Sequence, residues 1–259
     1  MNKTLKFRVV IPARYASTRL PGKPLLLLAG KPMVQHVYEN ALSSGASEVI
    51  VATDDDRIVA AVRAFGGRAM LTGAHHLSGT DRIAEVAARE GFGPSDIVVN
   101  LQGDEPGIPG DVVRRAAEAL SEHADAGIST MAAAISNIED LRNPNVVKVV
   151  LDDVGFAHYF SRAPIPWHRD AFAQGIEALE HLPLGATYLR HIGLYGYRVD
   201  VLHAISAAEP KPAEILESLE QLRALAMGIR IHVTVLERTL GHGVDTEEDL
   251  HRVSARMQG

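Results

Sequence analysis

Apolar residues along the first third of the chain alternate between two rhythms. Short β-branched runs at Phe7–Ile11 (FRVVI), Glu48–Thr53 (EVIVAT), Arg68–Thr72 and Ile97–Leu101 (IVVNL) predict buried strands. Between them, apolar residues recur at helical spacing. Met33, Val37 and Leu42 mark one helix that stops at Gly45, Asp55–Phe65 a second closed by Gly66-Gly67, and Asp81–Arg89 a third. Strands alternating with short helices predict a parallel sheet with right-handed crossovers.

After about Ala126 the rhythm changes. Ile128–Ile135 reads as a strand, and Val146–Leu151 and Phe156–Phe160 flank a turn at Asp152-Asp153-Val154-Gly155, predicting a hairpin. His191–Val199 and Ile229–Leu236 read as strands and Pro212–Met227 as one helix. Thr246–Arg256 is a closing helix with Thr246 as its cap. The hairpin segments lack an obvious partner in the parallel sheet. No repeat or linker divides the chain, so the expectation is one α/β domain over residues 1–259 whose later half adds antiparallel strands.

Composition narrows the classes. With 26 Lys and Arg against 32 Asp and Glu, the formal charge is −6, so no general basic field attracts nucleic acid or anionic lipid. An anionic ligand must be held by local cations. The absence of cysteine excludes disulfides and thiolate metal sites, and fits a reducing compartment. The basic stretch Met1–Arg8 runs into a strand and Pro12, too soon for a signal peptide, and no apolar run reaches membrane length. These features predict a cytoplasmic protein with neither nucleic-acid nor membrane partners.

In open α/β sheets, ligands bind beyond the carboxyl ends of the strands. The loop after the first strand, Pro12–Pro24 (PARYASTRLPGKP), carries Arg14, Arg19, Lys23, Ser17 and Thr18 and no acid. Such a set suits a triphosphate, and equally a solvated basic loop. It is neither a GxGxxG fingerprint nor a Walker A loop, which disfavours a nicotinamide-dependent dehydrogenase. Asp104 lies just past the run Val98–Leu101, and is either a magnesium ligand or a turn aspartate capping the next helix.

PARYASTRLPGKPL, VATDD, HLSGTDRIAE, VVNLQGDEP, NPNVVKVV, YFSRAPIPW, LRHIGLYGYR, LEQLR and GHGVDTEEDL follow one another along nearly the whole chain. In order and spacing they resemble the motifs of the Kdo cytidylyltransferases, where Kdo is 3-deoxy-D-manno-octulosonate. The resemblance implies a Rossmann-like nucleotide-diphosphosugar-transferase fold, a mixed, mostly parallel sheet flanked by helices with an added antiparallel subsheet. It also implies a homodimer and the reaction of CTP with Kdo to give CMP-Kdo and pyrophosphate on the way to lipopolysaccharide. Residues 1–125 would form mainly the CTP-binding half, and 126–259 the sugar-binding and dimerisation half.

By the same resemblance, Arg14, Ser17 and Lys23 hold the CTP phosphates, and Ser78, Gly79 and Arg82 lie near the base. Leu77 stands where close relatives are expected to carry glutamine. Lys23, Arg14, Asp104 and Asp245 are the expected catalytic set, with Asp104 and Asp245 as Mg²⁺ ligands; Asp245 alternatively caps a helix in competition with Thr246. Gln102, Arg162, His191, Tyr195, Glu220 and Gln221 match positions lining the sugar pocket. Arg162 suits the Kdo carboxylate, which a guanidinium grips bidentately, or else is a surface ion-pair partner. His191 and Tyr195 alternate along one strand and share a face; their other reading is structural, as a solvated helix face is for Glu220. Rival functions are a cytidylyltransferase for sialic acid or an amino-substituted Kdo, and a silent nucleotide-binding dimer, against which Lys23, Asp104 and Asp245 argue.

Overall fold

The computed structural model describes residues 5–16, 20–76, 78–238, 240, 243–244 and 246–258. The first half contains β1 (Phe7–Pro12), β2 (Leu27–Leu28), β3 (Lys31–Pro32), α1 (Met33–Ser43), β4 (Glu48–Thr53), α2 (Asp56–Ala64), β5 (Ala69–Leu71), α3 (Gly79–Arg89), β6 (Ile97–Asn100) and α4 (Gly110–Glu122). The second contains β7 (Ile128–Ala134), α5 (Ile138–Arg142), β8 (Lys148–Leu151), β9 (Ala157–Ser161), β10 (Leu189–Arg198), α6 (Val199–Ser206), α7 (Pro212–Glu217), α8 (Gln221–Ala226), β11 (Ile231–Leu236) and α9 (Glu247–Gln258).

One sheet runs through both halves in the order β11-β7-β10-β6-β1-β4-β5. Strands β6, β1, β4 and β5 pair in parallel, as do β7 and β11, whereas β10 lies antiparallel between β6 and β7. The β-branched strands bury both faces, because successive side chains point to opposite sides. Val9, Val51 and Val99 pack with Val37, Val62 and Val113 from α1, α2 and α4. On the other face Val10, Ile50 and Val98 meet Ile83 and Val86 of α3 and Leu202 of α6. Each such side chain contributes roughly 1.5–3 kcal/mol by leaving water. The fold class expected from the sequence is the one observed.

Four local readings need correction. Pro212–Met227 is two helices, broken where Ser218 takes the left-handed conformation at φ 51°. The helices α4 and α6 went unread, and the strand read as His191–Val199 is Leu189–Arg198. The third helix starts at Gly79, not Asp81, because the Ser78 hydroxyl accepts from the Asp81 N–H at 3.1 Å and caps it. The hairpin has a partner after all: β8 pairs with β10 through Lys148–Arg190 and Val149–Leu189. Thr246 does cap α9, accepting from the Asp249 N–H at 3.2 Å. Among the described residues no helix is long and apolar enough to cross a membrane.

The hairpin turn is held to β11 by rings. His123 and His232 stack with centroids 3.7 Å apart, and Phe156 meets both edge-on. Burial, then the neighbouring His123 and Arg115, pull His232 from 6.5 to about 4, with Glu122 and Asp125 opposing. Below pH 6.5 the unfolded chain therefore takes up a proton that the folded chain resists, and stability falls as the pH drops toward 4. His232→Phe keeps a ring in the stack and removes the titration. Its thermal midpoint is expected to gain on the parent's as the pH is lowered from about 7 to 5; parallel midpoint curves in that window would show that His232 is not the proton-linked group.

Candidate functional site

The site is built where β1 and β6 leave the sheet side by side. The Gly103 N–H donates to the Pro12 carbonyl at 3.3 Å, and a Cβ on residue 103 would stand 2.9 Å from that oxygen. Only glycine fits this approach. The loop after β1 folds back on itself at Gly22 (φ 67°), whose N–H reaches the Tyr15 carbonyl at 3.1 Å. A short 3₁₀ turn, Lys23–Leu25, follows.

These two turns deliver opposite charges to one point. Lys23, buried at its base, places Nζ 2.7 Å from Asp104 Oδ2. Asp104 is not the cap of α4, whose N-cap is Pro109, with no capping side chain. The chain returns to the same turn from the carboxyl-terminal side, where the Val244 N–H donates to the Asp104 carbonyl at 2.9 Å. Ser17, Leu77 and Asp245 lie outside the described residues, so the expected convergence of Asp104 and Asp245 rests on sequence. Arg14 is exposed on the loop. Among the described residues no three metal-binding side chains cluster.

The amino end of α3 forms the neighbouring wall. A Cβ on Gly79 would contact Pro12 at 3.3 Å and Gln102 Nε2 at 3.6 Å, so Ser78 and Gly79 sit against the β1 and β6 exits. Arg82 is differently employed. Its guanidinium is 4% exposed and donates to Asp54 Oδ2 at 2.9 Å and Thr72 Oγ1 at 2.5 Å, lacing α3 to the ends of β4 and β5. It shapes the wall from within.

Gln102 leads to a second group of residues. Thr80 donates to Glu220 Oε2 at 2.8 Å. The other oxygen, Glu220 Oε1, is buried without a hydrogen-bond partner, as is Gln221 Nε2. Burial pushes Glu220 above the usual carboxylate range against the lowering by the Thr80 and Ser78 hydroxyls, although its side chain is still 32% exposed, so it is a half-buried position on the helix. Burial likewise drives the Tyr195 and Tyr197 phenols up, with Glu220 adding to both. His191 and Tyr195 do share a face, with ring centroids 5.3 Å apart, and Phe160 packs edge-on against His191 at 5.0 Å. Desolvation takes His191 down to about 3, so the ring is neutral.

Arg162 stands on a separate support. Its Nε donates to the Glu217 carbonyl at 2.6 Å and its Nη1 to the Pro144 carbonyl at 2.8 Å, while its own N–H is held by Glu217 Oε2 at 2.8 Å. Below it lies Lys148, fully buried, whose ammonium donates to the carbonyls of Asn143, Val146 and Arg162 at 3.0, 2.6 and 2.6 Å. Burial lowers Lys148 to about 8. Glu217 and Lys148 escaped the residue-by-residue reading, and Thr80 was read only as part of the segment SGTDR expected near the base. Thr80 and Lys148 lie inside the motifs SGTDR and NPNVVKVV, where position in a motif was the available signal.

Comparison with known proteins agrees over nearly the whole length. The family described as "Cytidylyltransferase" matches residues 8–231. A 3-deoxy-manno-octulosonate cytidylyltransferase from Marinobacter nauticus is 54% identical over 98% of both chains. One from Thioalkalivibrio sulfidiphilus is 54% identical over 98% of this chain and 100% of its own. The solved structure of a CMP:2-keto-3-deoxy-manno-octonic acid synthetase complexed with CTP superposes with a TM-score of 0.87, at 44% identity over 98% of each chain.

Proposed function

The chain belongs to the 3-deoxy-manno-octulosonate cytidylyltransferase family, and we propose that it transfers CMP from CTP to the anomeric hydroxyl of Kdo. Pyrophosphate leaves, and the product serves lipopolysaccharide synthesis in the cytoplasm. The observation that carries this reading is the single turn 102–104. Gln102 Nε2 lies beside Gly79 and donates to Asn100 Oδ1 at 3.1 Å, whereas Asp104 pairs with Lys23 at 2.7 Å. A sugar acid and a triphosphate held on either side would meet there.

The sugar hydroxyl attacks the α-phosphorus in line with the departing pyrophosphate, and charge gathers on phosphate oxygens. Lys23 and Arg14 supply cations to those oxygens, with Ser17 as a hydroxyl donor, and positioning replaces covalent catalysis. Ser78 and Gly79 bring backbone groups toward the cytosine, with Arg82 bracing them. Gln102, His191, Tyr195, Glu220 and Gln221 hold the sugar, and Arg162 takes its carboxylate by exchanging a backbone carbonyl for a better acceptor. Residues 1–125 thus serve mainly CTP and 126–259 mainly the sugar. Pyrophosphate release across the four nucleoside triphosphates and a panel of Kdo, amino-substituted Kdo and sialic acid tests the reading. CTP with Kdo is expected to lead the panel; equal efficiency with UTP, or a preference for sialic acid, would overturn it.

A half-exposed carboxylate at the mouth of a phosphate loop suits Mg²⁺, which takes one or two carboxylates and completes its shell with phosphate oxygens and water. Asp104 and, on sequence grounds, Asp245 would hold it. When bound, the ion acidifies the attacking hydroxyl and screens the phosphate charge. Asp104→Asn is expected to lower kcat by at least about a hundredfold, to leave the thermal midpoint nearly unchanged, and to recover part of the activity in excess Mg²⁺. Near-normal kcat would remove Asp104 from the metal.

The reading includes a homodimer through the β8–β9 hairpin. Among the described residues β9 pairs with β8 alone, and Tyr159 on β9 is 39% exposed and Leu216 on α7 85%. Large apolar side chains beside an open strand edge favour a second copy. Sedimentation at micromolar concentration is expected to show a dimer, and Tyr159→Lys a monomer; a parent that sediments as a monomer refutes it.

A further inference from the structure

The antiparallel pairing of β10 with β7 is interrupted at the site. Ile192 pairs with Met131 and Tyr195 with Thr130, so Gly193 and Leu194 bulge between them. Thr130, fully buried, faces that bulge from β7. Its Oγ1 lies 2.8 Å from the Leu194 carbonyl oxygen, 3.1 Å from that of Ile192, and 2.9 Å from His191 Nε2.

A hydroxyl has one proton and two lone pairs. Two carbonyl oxygens at 2.8 and 3.1 Å carry only lone pairs, so the Thr130 proton must lie toward them, or the contacts repel. The Thr130 oxygen then meets His191 as an acceptor, and the ring must bring the proton. The environment already keeps His191 neutral, so it owns one ring proton to place.

We propose that Thr130 is a positioning residue that locks His191 as the neutral Nε2–H tautomer, leaving Nδ1 as a lone-pair acceptor for a hydroxyl of the sugar acid. This rests on the reading that His191 faces the sugar. It assigns His191 a sense of recognition: the residue reads a hydrogen-bond donor on the sugar and offers no cation to the carboxylate. The bulge and the tautomer are linked, since the hydroxyl that donates toward the bulge carbonyls is the one that accepts the imidazole N–H.

The test uses the full-length protein labelled with ¹⁵N-histidine, followed by two-bond ¹H–¹⁵N correlation at pH 7. His191, assigned by its loss in His191→Phe, is expected to show a protonated Nε2 and a bare Nδ1. A protonated Nδ1 in the parent overturns the proposal without recourse to any Thr130 variant. Thr130→Val keeps the shape and is expected to mix the tautomers and raise KM for Kdo by about tenfold, leaving KM for CTP within about twofold. Thr130→Ser should restore both. An unchanged His191 spectrum in Thr130→Val would overturn the linkage even if KM rose. His191→Phe with an unaltered KM for Kdo, beside the expected parent spectrum, would sink the sugar-facing reading and with it the assigned acceptor role.

Discussion

Two parallel strands, β1 and β6, end side by side, and the chains continuing them come too close for a side chain to pass between. Gly103 answers that constraint with its N–H on the Pro12 carbonyl and no Cβ to clash. Because the turn hugs β1, Asp104 emerges beside the loop that β1 feeds, and Lys23 finds it although 81 positions away. A half-exposed ion pair contributes little to stability. Its value is placement: it fixes an ammonium and a carboxylate side by side at the carboxyl ends of β1 and β6. The Val244 contact on the Asp104 carbonyl adds a third strand of chain to the same point.

Beyond Gln102 the energetics reverse. Glu220 Oε1, 3.9 Å from an Arg223 nitrogen, and Gln221 Nε2 are buried without a hydrogen-bond partner, and a buried group so left costs roughly 1–3 kcal/mol. The cost is sustained by a fully bonded frame. Glu214 and Arg223 form a buried bidentate pair that also takes up the carbonyls of Ile205 and Ala208. Lys148 ties three carbonyls from inside. Unmet hydrogen-bonding capacity thus sits on a well-bonded frame, which holds the two side chains in place.

The sheet was legible where local pattern and tertiary burial agree. β1, β4 and β6 are continuous β-branched runs, and strands buried on both faces read that way. Helix α4 was not, because Gly110 and three alanines dilute its buried face and its N-cap, Pro109, offers no capping hydroxyl or acid. The break at Ser218 has no local signal, since neither glycine nor proline lies within Glu214–Met227. It is imposed from outside: Ser161 and the Arg162 N–H hold the Glu217 carboxylate, and the Arg162 side chain holds its carbonyl. The hairpin's partner was hidden for a similar reason, since Arg190 lies 42 positions beyond Lys148 along the chain. For the site, residue types in the loop after β1 suggested anion binding, and Asp104 followed from its place past a strand. The sugar-side residues came from family resemblance, and only coordinates reveal that Arg82 and Arg162 spend their guanidinium groups on the protein itself.

The reversed strand β10 sets the order in which this chain can become a protein. It pairs with β6 on one side and β7 on the other, so a ribosome must reach Arg198 before either strand gains that neighbour. Until then β6 presents an open edge in the middle of the future sheet, and such edges recruit other chains. Pairings this distant also close slowly, because the intervening loop entropy must be overcome first. The two halves of the chain are therefore not independent folding units. A nascent chain carrying residues 1–125 still lacks the strand that seals β6, and its exposure to aggregation ends only when β10 arrives.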